Sequence, residues 1–361
     1  MTNTSLFDER LWEFEQTLLE YYLEKADFSA QSETLAKLFA YLSIYGELTQ
    51  TQLKMLTNFS KSTVSTGLAN LINIGYVKKE KIAHSREYRY FISYSGEESI
   101  DDVLGSMKKE INFLGKMISK LEKSNIPKDY NFTRLLNRLK EAVELYKLYQ
   151  TILVSIEESE DKIASKLDLT SLKHYEHQII KEDIYHINTE FNDELKAVED
   201  EIIDFFRYES VYSILNEFSL IIVVYFMIRK VLTQKKLRIL TGLSLGKVSE
   251  VLNHLLKVGH IQKVDKEKYT EIIPETFKRK ILYSMTFIKN SFIKSGILSF
   301  NEILKWEAQF KKMETYLLSN RELLEKLNGY NKILKSIQNY LALLPTYRKV
   351  YNLLLKVGEN K

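Results

Sequence analysis

A mostly α-helical chain built from two copies of one module is what this sequence predicts, and three observations lead there. Only 12 glycines and 3 prolines occur among 361 residues, too little punctuation for a turn-rich β fold. Apolar side chains make up 45% of the chain, enough to fill real cores, and in the segments that open the module they recur at helical spacing. Residues 48–79, LTQTQLKMLTNFSKSTVSTGLANLINIGYVKK, align without a gap on residues 232–263, LTQKKLRILTGLSLGKVSEVLNHLLKVGHIQK, with 13 of 32 positions identical. Self-similarity at a fixed offset, here 184, marks a duplicated structural unit.

The offset continues upstream, pairing Phe7 with Phe191, Leu11 with Leu195, Leu18 and Leu19 with Ile202 and Ile203, and Tyr21 and Tyr22 with Phe205 and Phe206. Downstream the register drifts by insertion, yet YKLYQTILVSIEE from Tyr146 resembles YRKVYNLLLKVGE from Tyr347, so each copy ends in long, coiled-coil-type helices. Four stretches follow: 1–98 and 185–273 as the two heads, 99–184 and 274–361 as the long helical segments.

Within the first head, Leu11, Phe14, Leu18, Tyr21 and Tyr22 lie on one face of an amphipathic helix, and a second helix is predicted over Glu33 to Tyr45. Thr49 stands three residues before Gln52, a capping-box pattern that starts a third, short helix ending near Asn58. Ser60 can cap the next helix, whose Val64, Leu68 and Leu71 form a buried stripe and which Gly75 ends. YVKKEKIA and YRYFIS then read as two strands around a polar tip bearing Arg86. Helix, short turn, helix and hairpin is the winged helix-turn-helix arrangement, in which the second helix enters the DNA major groove while the wing touches flanking backbone.

That reading makes Ser62, Ser65, Thr66 and Asn70, opposite the buried stripe, the candidate base readers, with Lys54, Lys61, Arg86 and Arg89 on phosphates. The candidates in the second copy are Lys235, Lys236, Lys247 and Ser249. Charge is distributed accordingly. Residues 47–95 carry seven Lys/Arg against three acids and residues 229–271 ten against four, so a chain of net charge +4 is acidic elsewhere. Basic surplus concentrated on the helix pairs is what phosphate contact requires, although lysines that merely solvate a helical protein give a similar count.

The segment SKSTVSTGLANLINIGYVKK with the following SREYRYFIS resembles the winged-helix regulators of the MarR superfamily, most closely the GbsR-like branch. The resemblance implies that a helix precedes each winged helix, that long C-terminal helices dimerise, and that the two copies pack as a pseudo-dimer within one chain, open to further homodimerisation. It implies double-stranded DNA as partner, a small-molecule effector of unidentified class, and a cytoplasmic, nucleoid-associated setting. The second copy departs from the pattern. Glu250 stands opposite Thr66 in the repeat, Leu245 replaces Lys61, and the wing read from VDKEKYTEI is shorter and lacks counterparts of Arg86 and Arg89. A winged-helix protein scaffold and a nonspecific architectural DNA binder therefore remain alternatives.

Other chemistry finds little support. The absence of cysteine removes disulfides, thiolate metal sites and cysteine nucleophiles. No glycine-rich phosphate loop, nucleophile elbow or HExxH occurs, so no enzyme is expected. His174, His177, Asp183 and His186 have spacing that can ligate a metal, but scattered histidines in a polar segment are the plainer reading, and no cofactor is expected. The N-terminus lacks a basic segment followed by an apolar one, so no signal peptide is read there. The run Leu220 to Ile228 is about half a membrane span and reads as a buried helix.

Overall fold

The computed structural model describes residues 5–28, 32–73, 76–93, 98–155, 182–187, 189–208, 217–285 and 288–359. The chain is mostly helical, with two small antiparallel sheets. In order the elements are α1 (Trp12–Phe28), α2 (Glu33–Tyr45), β1 (Glu47–Thr49), α3 (Gln50–Thr57), α4 (Lys61–Asn73), β2 (Val77–Lys81), β3 (Tyr88–Ile92), α5 (Glu98–Glu122) and α6 (Tyr130–Val154). They continue with α7 (Asp193–Tyr208), α8 (Glu217–Arg229), β4 (Val231–Thr233), α9 (Gln234–Thr241), α10 (Leu245–Lys257), β5 (Gln262–Lys263), α11 (Glu275–Lys278) and β6 (Leu282–Ser284). The chain closes with α12 (Ile288–Leu304), α13 (Glu307–Ser319), α14 (Arg321–Leu324) and α15 (Tyr330–Glu359).

From α2 to α4 and from α8 to α10 the element bounds keep the 184-residue offset throughout. The sheets share one strand order as well, β1-β3-β2 and β4-β6-β5. Local chemistry explains the agreement. The Thr49 side chain accepts from the Gln52 amide and Gln52 returns the bond, the capping box expected; Thr233 accepts from the Lys236 amide in the same way. Thr57 and Thr241 each bond back to a leucine carbonyl four residues earlier and then accept the amide two residues on, which tightens the exit of α3 and α9. Asn58 and Gly242, equivalent in the repeat, both turn the chain through left-handed backbone at φ 57° and 69°. The predicted stop of α4 at Gly75 lies outside the described residues.

Two compact units form, and each combines parts of both copies. The first comprises residues 1–99 with 299–348, the second residues 100–298 with 349–361. α13, α14 and the larger part of α15 thus fall with the first head, and α6 and nearly all of α5 with the second, while the opening of α12 stays with the second head.

In the first unit the ring of Tyr21 meets Trp306, Phe310 and Tyr340 edge-on at 5.9, 5.3 and 5.1 Å, so that α1, α13 and α15 share one aromatic cluster. Phe310 is fully buried there. The polar ends of these rings find partners: Trp306 Nε1 donates to Glu24 at 3.1 Å and Tyr340 to the Ile303 carbonyl at 2.6 Å. Lys332 caps α2 by donating to the Tyr45 carbonyl at 2.6 Å. Leu38, Leu42, Leu53, Val64 and Leu68 continue the core under the short helices.

In the second unit Phe113 of α5 stacks on Phe205 of α7 with centroids 3.8 Å apart. Every residue of α8 from Ser219 to Arg229 is buried, as the apolar run implied. Among the described residues no helix is long and apolar enough to cross a membrane. Arg229 is buried and neutralised by Glu199 through two bonds of 2.7 and 2.6 Å. Arg138 of α6 caps α8 by donating to the Met227 carbonyl at 2.6 Å, with Glu141 beside it at 2.7 Å.

The second hairpin differs from its expected form. Its connection is longer than the first, not shorter: residues 82–87 join β2 to β3, whereas residues 264–281 join β5 to β6. The returning strand is LYS at 282–284 rather than the tail of VDKEKYTEI. Asp265 caps a single 3-10 turn and Pro274 leads into α11, so the extra chain folds locally instead of extending the ribbon. Tyr269, Ile273 and Phe277 from this insert bury themselves with Val231, Leu282, Ile184 and Ile187.

The cross-copy packing predicts that Phe310→Ala destabilises the first unit by about 3–5 kcal/mol, the usual loss for a buried phenylalanine. Amide exchange in α1 and α2 should accelerate although the substitution lies in the far half of the sequence. Burial, helped by neighbouring His254, pushes His260 in the second unit down to about 4. A depressed histidine leaves stability intact above its unfolded value near 6.5 and removes it as pH falls toward 4. Unfolding free energies from urea titration at pH 7 and pH 4.5 should therefore differ by on the order of 2–3 kcal/mol in the parent chain and much less in His260→Phe.

Candidate nucleic-acid interface

The exposed face of α4 is set by what its opposite face buries. Val64, Gly67, Leu68 and Leu71 face the core. Gly67 permits an especially close approach to α2, since a Cβ there would meet the Leu38 side chain at 2.4 Å. Ser60 caps the helix by accepting the Thr63 amide at 3.0 Å, and Gln50 of α3 donates to the Lys61 carbonyl at 3.2 Å. Those bonds fix the angle between α3 and α4.

Lys61, Ser62, Ser65, Thr66 and Asn70 are consequently all exposed on one side, with Lys54 exposed on the neighbouring α3. Lys54, Lys61 and Arg86 enter no ion pair among the described residues, so their charge is available to a polyanion. Arg86 sits at the tip of the β2–β3 hairpin, beside His84, whose φ of 58° makes the turn. The hairpin is pinned to the helices: Thr51 donates to Glu87 at 2.6 Å, and Arg89 pairs with Glu47 at 3.1 Å. Arg89 thus spends its guanidinium on β1, and its predicted role on phosphate competes with an internal carboxylate. The sequence reading missed this pairing because Glu47 and Arg89 meet only through the strand register, Thr49 opposite Arg89 and Glu47 opposite Phe91.

The second copy uses the same frame for another surface. Gln234 donates to the Leu245 carbonyl at 3.2 Å, the counterpart of the Gln50 bond, and Ser244 caps α10. Val251 stands where the first copy has Gly67 and is buried. Of the residues singled out, Lys235 is exposed, whereas Lys236 pairs with Glu190, Lys247 pairs with Glu250 at 2.7 Å and covers the Phe218 ring, and Ser249 is half-buried. What projects instead is apolar: Ile239 is 64% exposed and Leu245 54%. The Lys266 amine donates to the carbonyls of Phe277 and Lys278 inside the insert, so that charge is also engaged.

No group of three or more metal-ligating side chains occurs among the described residues, and His174 and His177 lie outside them. Asp183 is buried against Lys230 and Tyr130 instead. No protein-family model and no curated protein sequence matches the chain.

Because Glu87 holds the hairpin through Thr51, Thr51→Val should accelerate amide exchange across residues 81–88 while lowering global stability by less than about 1 kcal/mol, the scale of an exposed hydrogen bond. Unchanged exchange at the tip would show that the ladder alone positions the hairpin.

Proposed function

We propose that the chain is a DNA-binding transcription regulator with two winged helix-turn-helix modules, of which the first is the main reader of double-stranded DNA. The observation that carries this reading is the first copy's exposed face. Four short polar side chains, Ser62, Ser65, Thr66 and Asn70, stand on one helix between Lys54, Lys61 and Arg86, whose charges no carboxylate claims among the described residues. Small hydroxyl and amide groups suit base edges, and cations around them suit phosphates. The quoted resemblance to GbsR-like members of the MarR superfamily supports the same reading. So does the exchange of long helices between copies, which an intrachain pseudo-dimer requires. Such a protein works where the genome is, in the cytoplasm at the nucleoid.

The second copy favours a different use. With Lys236 and Lys247 neutralised and Ile239 and Leu245 exposed, its helix pair suits a protein surface better than a phosphate backbone. On this reading the preferred DNA site is asymmetric, since the two copies do not offer equal half-site contacts.

Fluorescence anisotropy with random and upstream genomic duplexes across a salt series tests the proposal. Lys61→Ala and Arg86→Ala should each weaken binding several-fold and reduce the slope of log K against log salt by about 1, the loss of one phosphate contact. Lys247→Ala should change affinity by less than about twofold, because its charge already answers Glu250. An absence of affinity at low salt would leave the protein scaffold, and affinity without sequence discrimination the architectural binder.

A further inference from the structure

A buried ionic socket in the second unit holds a side chain from the segment that joins the two copies. The Asp183 carboxylate is wholly buried; Tyr130 of α6 donates to its Oδ1, Lys230 Nζ lies 3.1 Å from its Oδ2, and Arg134 NH1 lies 3.9 Å from Oδ1. Two cations and a phenol, from α6 and from the residue that follows α8, thus converge on one carboxylate. The Arg134 Nε has no hydrogen-bond partner although its side chain is only 6% exposed, nor has Asp183 Oδ2, so the socket and its occupant are imperfectly matched.

The fold does not require these groups. Lys230 occupies the position of Gly46 in the repeat, and both end their helices by donating to a carbonyl four residues back. Gly46 adopts φ 78° at ease, whereas Lys230 is held at φ 62°, a conformation unfavourable for a residue with a Cβ. In the register that sets Tyr146 against Tyr347, the position of Arg134 is Lys335 in the other helix, which is exposed. The first unit therefore has a glycine and an exposed lysine at the corresponding places, and the second carries a strained lysine and a buried arginine in their stead. A cost in backbone strain and desolvation at one copy alone points to recognition rather than to folding.

We infer that this socket is a binding site for small carboxylates and that Asp183 is its tethered occupant, so that a free carboxylate entering it releases residues 182–187. The segment is otherwise held by burial of Ile184 and Ile187 and by stacking of His186 on Tyr130 at 4.2 Å. Recognition needs no DNA, and the inference stands apart from the function proposed above.

The test is thermal unfolding of the intact Asp183→Ala chain at pH 7 in sodium formate and in sodium chloride of equal ionic strength. Formate should raise the variant's Tm saturably, by about 3 °C or more over chloride, as a ligand bound only to the folded state does. The parent chain and the double variant Asp183→Ala with Lys230→Gly should show no such difference. Equal shifts of the single variant in the two salts overturn the proposal. If that variant does not fold, amide exchange of residues 184–187 in the parent chain decides: at least twofold acceleration in formate over chloride supports it, and equal exchange overturns it.

Discussion

Each head of this protein is closed by long helices that belong, in sequence, to the other copy. Tyr21 of the first copy rests on Trp306, Phe310 and Tyr340, and Phe113 from the helices after the first head lies flat on Phe205 of the second. Burial of such rings removes large apolar surfaces from water, so each unit draws part of its core from both halves of the chain. The same logic appears in the polar contacts: Lys332 ends α2, and Arg138 ends α8. A helix whose last carbonyls are satisfied by the other copy has its terminus fixed by that copy.

On this shared frame the two helix pairs are held by matching threonine caps and glutamine bonds, which makes their exposed faces independent of the scaffold. Selection of side chains outside the buried stripe can then change the surface without changing the fold. The first copy leaves Lys54 and Lys61 without ion pairs among the described residues; the second pairs Lys236 and Lys247 with acids and turns Ile239 and Leu245 outward. Two internal carboxylates, Glu190 and Glu250, neutralise those lysines. The longer connection of the second hairpin adds to it, because its apolar residues serve a small core of their own.

Much of the frame was legible from sequence. The helix bounds at Glu33 and Tyr45, the Thr49–Gln52 box, the Ser60 cap and the two strands of the first hairpin follow from local chemistry, where side chain and backbone lie within a few residues. The exposed face of α4 followed from the periodicity of Val64, Leu68 and Leu71. What sequence could not supply depends on distant partners. Glu190 reaches Lys236 and Glu47 reaches Arg89 only once strands and helices are assembled, and net charge over a window counts such lysines as free. The second wing, read from VDKEKYTEI, extends to a returning strand at Leu282–Ser284, because Pro274 followed by Glu275 starts α11 between the two. Asp183 looked like part of a histidine-rich segment and is instead clamped by cations about 50 residues to either side.

Hydroxyl-radical footprinting of the intact chain on a duplex obtained by selection tests the central claim most directly. The account predicts one protected stretch of roughly one helical turn on an asymmetric site, about 10 base pairs, and its loss with Lys61→Glu but not with Lys247→Glu. Two equally protected half-sites, or no protection at low salt, would contradict it.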